Sequence, residues 1–186
     1  RFFYYFIINP PLTIAFTVVG GGTPPGAGGE FLEIGGLVVM EAESEGVYGD
    51  WDENTTVSGY TGDSYIEWKT GNFSTGIDAE GSDPITFEFL IQNPGRYRFI
   101  MRSAAPNSTE HNDVWCRFPD NPVFREQGGV FSAPVFGASS WFKVYQNVSG
   151  NNFTFSTKHV DFDPHDIYMD FLTPGVYRFQ ISGRST

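Results

Sequence analysis

A β-sandwich of the jelly-roll kind, preceded by an N-terminal strand-forming arm, is the fold class this sequence predicts. Three observations lead there. Aromatic residues make up 17% of the 186 residues, with 19 Phe and 9 Tyr, and such side chains favour pleated, half-buried strands. Gly (22) and Pro (12) are scattered along the chain, as expected where many turns join short strands. No stretch combines a 3.6-residue period with a helix cap.

The elements follow in order. Arg1 to Val19 is apolar, but Asn9-Pro10-Pro11 interrupts it. A membrane-spanning helix needs about 20 uninterrupted apolar residues, so the arm reads as two strands and not as a span. Residues 20–30, GGGTPPGAGGE, form a Gly/Pro linker. The predicted organisation is therefore an arm over 1–19, a linker over 20–36 and a sandwich over 37–186. The sandwich opens with LVVMEAE at Leu37. Strands are expected at Ser64–Lys69, Ile85–Gln92, Gly95–Ala104, Asp113–Phe118, Trp141–Gln146, Asn152–Lys158, Asp166–Leu172 and Gly175–Ser182. Strands at this spacing, separated by turn residues, mean a sandwich or barrel. NPGRYRF and TPGVYRF resemble each other and are expected to form equivalent hairpins.

Charge narrows the partners. A net charge of −11 argues against nucleic acid or an anionic membrane, both of which need a basic face. An acidic surface suits an extracellular protein and supplies oxygens for Ca²⁺. Cys116, the single cysteine, cannot form an internal disulfide and is expected to be a buried structural thiol. The chain begins at Arg1, which suggests a processed product or a piece of something longer.

Five Asn-x-Ser/Thr sequons occur, at Asn54, Asn72, Asn107, Asn147 and Asn152. Chance gives about one or two at this composition. Each lies in a polar, turn-like stretch, so N-linked glycans and a secreted or cell-surface location are expected.

LVVMEAES, GYTGDSYIEW, ITFEFLIQNPGRYRFIMRSA and TPGVYRFQISGRS together resemble carbohydrate-binding modules of families 6 and 35, from about Leu37 to Ser185. EHNDVWCRFPD, WFKVYQN and DPHDIYMDF are similar to a subgroup found in secreted bacterial multidomain proteins. The resemblance implies a galactose-binding-like sandwich and a structural Ca²⁺ held by the E-x-E of the first strand, Glu41 and Glu43. Strand alternation would put both carboxylates on one face. It also implies sugar contacts from loop aromatics and a neighbouring amide, for which Trp51, Tyr60, Trp141 and Asn151 are the candidates.

One departure carries an expectation of its own. Family members continue beyond ISGRS into a last strand whose Asp completes the metal site. Here Phe2, Phe3, Tyr4, Tyr5, Phe6, Ile7 and Ile8 suit that strand, with Tyr4 or Tyr5 where the Asp would be. Such a strand either folds back or inserts into the next copy, and the second is favoured, together with tandem continuity. A contact of that kind that does not close gives a filament.

Catalytic chemistry is not expected. No G-x-S-x-G elbow is present, no carboxylate pair stands out for glycoside cleavage, and three His with one Cys make zinc improbable. His111 and Asp113, and Asp161, Asp163, His165 and Asp166 in DFDPHD, are the densest polar clusters. DFDPHD reads first as a hairpin turn. The expected function is a non-catalytic structural glycoprotein of an extracellular filament or array, joined to copies of itself. The alternative is a carbohydrate-binding module of a larger secreted protein, with polysaccharide as partner.

Overall fold

The computed structural model describes residues 2–7 (as backbone), 31–47, 49–68, 83–109, 111–126, 129–130, 141–160 and 163–184. It is nearly all β. The strands are β1 (Phe2–Ile7), β2 (Phe31–Leu32), β3 (Val38–Val39), β4 (Trp51–Asn54), β5 (Tyr65–Trp68), β6 (Ile85–Ile91) and β7 (Gly95–Ser103). They continue with β8 (Asp113–Arg117), β9 (Val123–Glu126), β10 (Gly129–Val130), β11 (Phe142–Tyr145), β12 (Ile167–Phe171) and β13 (Gly175–Gly183), and the one helical element among the described residues is a 3-10 turn at Ala42–Glu45.

Two sheets result. One runs β10-β9-β12-β7-β1-β5-β4, with β3 also on β1, and the other runs β11-β8-β13-β6-β2. Alternation decides which side chains meet between them. In β6, Ile85, Phe87, Phe89 and Ile91 point inward, and in β7, Tyr97, Phe99 and Met101 do. Phe118 lies 5.6 Å from Phe99 of the first sheet and 5.0 Å from Phe179 of the second. Phe124 and Phe142 meet across the gap at 5.5 Å. Each such ring contributes about 1.5–3 kcal/mol by leaving water. Cys116 is buried in this core, 3.9 Å from Met101 Sδ, and burial holds its thiol pKa well above the ordinary value. At Gly183 a Cβ would sit 2.0 Å from the Trp68 ring, so only glycine lets the sheets approach there.

The arm's strand lies inside the first sheet. Phe2–Ile7 pair antiparallel with Ser103–Arg98 on one side. On the other side Tyr5 and Phe6 pair with Val39 and Val38, and Phe2 with Ile66. Thus Tyr4 and Tyr5 sit within their own chain's sheet. Ile8, and the second strand expected before Val19, lie outside the described residues.

Several expectations need correction. The linker does not reach residue 36, because β2 pairs with Phe89 and Leu90 and Glu33 is buried. LVVMEAE yields only the two-residue β3 before the chain tightens at Ala42. Asn152–Lys158 is not a strand; it touches its neighbours through isolated bridges at Thr154 and Lys158. NPGRYRF and TPGVYRF are not hairpins. β6 and β7 belong to different sheets, as do β12 and β13, so both turns carry the chain from one sheet to the other. The equivalence survives in another form: Tyr97 donates its hydroxyl hydrogen to Asn93 O, and Tyr177 to Thr173 O, each four residues back. Among the described residues no helix is long and apolar enough to cross a membrane.

Candidate functional site

Three loops meet at one end of the first sheet. Asn151 and Gly150 donate their amides to Ala105 O and Pro106 O at 2.9 and 3.3 Å, and Ser103 and Thr154 exchange backbone bonds at 3.0 and 2.9 Å. Asn112 Nδ2 ties the same loops together through Gln146 O (2.7 Å), Ser108 O (3.1 Å) and Asn147 Oδ1 (3.3 Å). This lacing sets Asn107, Asn147 and Asn152 on one exposed rim. Asn54 is half-buried. Its Oδ1 accepts from Thr55 N and Thr56 N, and its Nδ2 donates to Glu67 Oε2 at 3.1 Å. Asn72 lies outside the described residues.

Inside the rim sits an aromatic patch. The Arg102 guanidinium lies 5.4 Å from the Phe153 ring and 5.7 Å from Phe155. Phe153 packs on Tyr65 at 5.6 Å, and Tyr65 on Tyr60 at 5.9 Å. The Tyr65 hydroxyl lies 3.1 Å from Thr56 Oγ1 and accepts from Val57 N. Phe155 is 46% exposed. Asn151 adopts a left-handed φ of 56°, which Asn tolerates better than most residues. Two polar atoms of this patch are buried without a hydrogen-bond partner: Arg102 Nη1, a donor, and Asn151 Oδ1, an acceptor.

Of the four expected sugar contacts, Tyr60 and Asn151 belong to this patch. Trp51 and Trp141 do not, and each is only 1% exposed. Trp51 donates its indole N–H to Asp83 O at 2.9 Å and packs edge-on against Trp68. Trp141 lies under the Arg117 guanidinium at 4.6 Å. Neither offers a ring face to a ligand. Arg102, Phe153 and Phe155 join the patch without being among the expected contacts; the alternation of aromatics in Asn-Phe-Thr-Phe is the sequence signal for two of them, and it reads equally as a strand.

The expected metal ligands are close together, but not by strand alternation. Glu41 precedes the 3-10 turn and Glu43 lies within it. Both carboxylates reach the Thr61–Ser64 turn. Thr61 Oγ1 donates to Glu41 Oε2 at 3.4 Å, and Asp63 N to Glu43 Oε1 at 3.3 Å. At Gly62 (φ 67°) a Cβ would lie 2.3 Å from Glu43 Oε1, so the close approach requires glycine. Desolvation raises the Glu43 pKa, and its Oε2 is buried with no partner. Two carboxylates and a hydroxyl fit part of a Ca²⁺ shell. Among the described residues no group of three or more His, Cys, Asp or Glu completes it.

The remaining polar clusters have local partners, except that His111 Nδ1 is buried with no hydrogen-bond partner. His159 and His165 form an antiparallel bridge, and His165 Nε2 lies 3.1 Å from Asp163 Oδ2. Burial holds the His159 pKa down to about 4. Asp166 bonds Lys158 and lies 2.9 Å from Arg98. His111 stands in a left-handed turn (φ 58°), and Asp113 pairs with Arg184. Asp161 lies outside the described residues. Comparison with family models, with curated proteins and with solved structures gives no match.

Proposed function

We propose that this chain is a non-catalytic, extracellular β-sandwich module that binds carbohydrate at the patch around Arg102 and Asn151. One observation carries the reading: a buried donor without a partner, Arg102 Nη1, belongs to a guanidinium lying over Phe153 and the half-exposed Phe155, and a buried acceptor without a partner, Asn151 Oδ1, stands two residues before Phe153 on the same loop. Sugar hydroxyls donate and accept at once, and the C–H faces of the ring stack on aromatics. Ligand sites of this sort place few polar groups among apolar walls. A guanidinium and an amide supply hydrogen bonds, but neither the nucleophile nor the acid that glycoside cleavage needs. The exposed rim of Asn107, Asn147 and Asn152 supports glycan carriage and a secreted location. The buried Oε2 of Glu43 supports a structural Ca²⁺ at Glu41 and Glu43.

The test is a glycan array probed with unglycosylated protein. Binding to one glycan class, lost in both Tyr60→Ala and Arg102→Met, is the expected result. Variants that retain the wild-type profile would contradict the assignment.

A second reading, that copies join through their N-terminal strands, draws on β1. It lies in the interior of a sheet, paired on both sides, and residues 8–30 separate it from β2. Fully extended, that length of chain reaches roughly 75 Å, many times the spacing between neighbouring strands. The same register is therefore within reach of a neighbour's Phe2–Ile7, which would give an open chain of subunits. Polymers seen by negative stain and abolished by deleting residues 1–19 are expected on this reading. A micromolar monomer with protected β1 amides would end it.

A further inference from the structure

The outer face of the five-stranded sheet carries a second cluster, in which the loop patch on the other sheet plays no part. Strand alternation turns Asp113, Trp115 and Arg117 of β8 outward. Lys143 of β11 and Ser182 of β13 flank Trp115 in register. Arg117 lies 4.6 Å over the Trp141 ring and donates through Nε to Gln180 Oε1 at 2.8 Å. Arg184 lies 5.2 Å over the Trp115 ring and pairs with Asp113, whose Oδ2 is 3.9 Å from Lys143 Nζ. Solvent still reaches Lys143 and Arg184.

The polar balance of this face is one-sided. Trp115 is 5% exposed and Trp141 1%, yet the indole N–H of each is buried and donates to nothing. Arg184 Nε is a third buried donor without a partner. Among the described residues no buried, unpartnered acceptor stands on this face. A buried N–H left unpaired costs about 1–3 kcal/mol, so these three, spread along both sides of β8, mark a face where acceptors belong. They sit beside three cationic side chains, in a molecule whose net charge is −11.

We propose that this face binds a sulfate ester of a polysaccharide. An ionised sulfate ester has three terminal oxygens that accept hydrogen bonds and no proton to donate, which matches a site of donors alone. A phosphate monoester retains part of a proton near neutral pH, since its second pKa is about 6, and would require an acceptor here. A carboxylate brings two oxygens to a face whose three unpaired donors come from three different segments. The overall negative charge repels polyanions at long range, so attraction of one has to come from a local site.

The probes are dextran sulfate, dextran phosphate and plain dextran, titrated by calorimetry and tryptophan fluorescence at physiological salt. Dextran sulfate should bind, weakening as salt rises, while plain dextran should not. Trp115→Phe and Trp141→Phe keep a ring and remove the N–H. Each should weaken binding about tenfold, the loss expected for one hydrogen bond to a charged group. Should one tryptophan variant fail to fold, the other still decides. No binding of dextran sulfate, equal binding of plain dextran or dextran phosphate, or full affinity in the folded Trp→Phe variants would overturn the proposal.

Discussion

The two Pro-Gly corners, Asn93–Tyr97 and Thr173–Tyr177, share a sequence pattern and a task, yet they are held differently. Both carry the chain between sheets, and both tyrosines bond back four residues. Both rings also pack on Phe171, Tyr97 at 5.3 Å and Tyr177 at 4.6 Å. At the first corner, however, the buried Glu33 carboxylate accepts from Gln92 N, Asn93 N, Asn93 Nδ2 and Gly36 N. Gln92 Nε2 in turn donates to Glu33 O at 2.6 Å. At the second corner, among the described residues, the carboxylate that reaches the chain is Asp120, which accepts from Arg178 N and from its guanidinium just past the turn and stays partly exposed. Tyr177 is half-buried, and Leu172 beside it is 71% exposed. The shared motif sets the turn; the segment arriving from β2 decides how firmly it is locked.

Substitutions at the two corners sharpen this contrast. Glu33→Ala should be the most damaging, at about 3 kcal/mol in urea unfolding, because it removes at once the hydrogen bonds that the buried carboxylate accepts from Gly36, Gln92 and Asn93. Tyr97→Phe comes next, at roughly 1.5 kcal/mol, since it removes the hydrogen bond that the buried Tyr97 hydroxyl makes to Asn93 O. Tyr177→Phe should cost under about 1 kcal/mol, because water replaces the lost partner. Equal losses at Tyr97 and Tyr177 would break the comparison.

The first corner also carries two groups with shifted titration. Burial works to raise the Glu33 pKa, but its hydrogen bonds from Asn93, Gly36 and Gln92 outweigh that and hold it below 4.5. A depressed carboxylate stabilises the fold above its unfolded pKa, so this contribution is present at neutral pH and fades as pH falls below 4.5. Tyr97 behaves oppositely. Burial, with Glu33 nearby, pushes its pKa up to about 12 from 10.0. Its contribution is full below pH 10.0 and is lost as pH rises toward about 12. Acid and alkaline unfolding of Glu33→Gln and Tyr97→Phe should therefore lose the corresponding limb of the wild-type profile. The smallest effect is expected from Ca²⁺, which should raise Tm by a few degrees in wild type and leave Glu41→Gln/Glu43→Gln unmoved.

The alternation of β6, β7 and β13 was plain in the sequence, because one face of each strand meets a dry core. The sheet each strand joins was not, since Pro-Gly serves a hairpin and a corner equally well. Glu33 was hidden in a Gly-rich stretch, where one acid gives no sign of the amides it will collect. Tyr60 and Asn151 were legible as loop residues of the patch. The burial of Trp51 and Trp141 was not legible, because a tryptophan's neighbours in sequence do not reveal whether its ring is covered. Arg102 was invisible as a site residue: its stacking partners, Phe153 and Phe155, lie about fifty residues away in the chain.

The central claim, that sugar binds beside Arg102 and Asn151, is tested most directly by calorimetry with the strongest saccharide from the array. Wild type should bind with measurable heat, and Arg102→Met, folded by circular dichroism and equally stable to heat, should bind at least about tenfold more weakly. Equal affinity in the two proteins would contradict it.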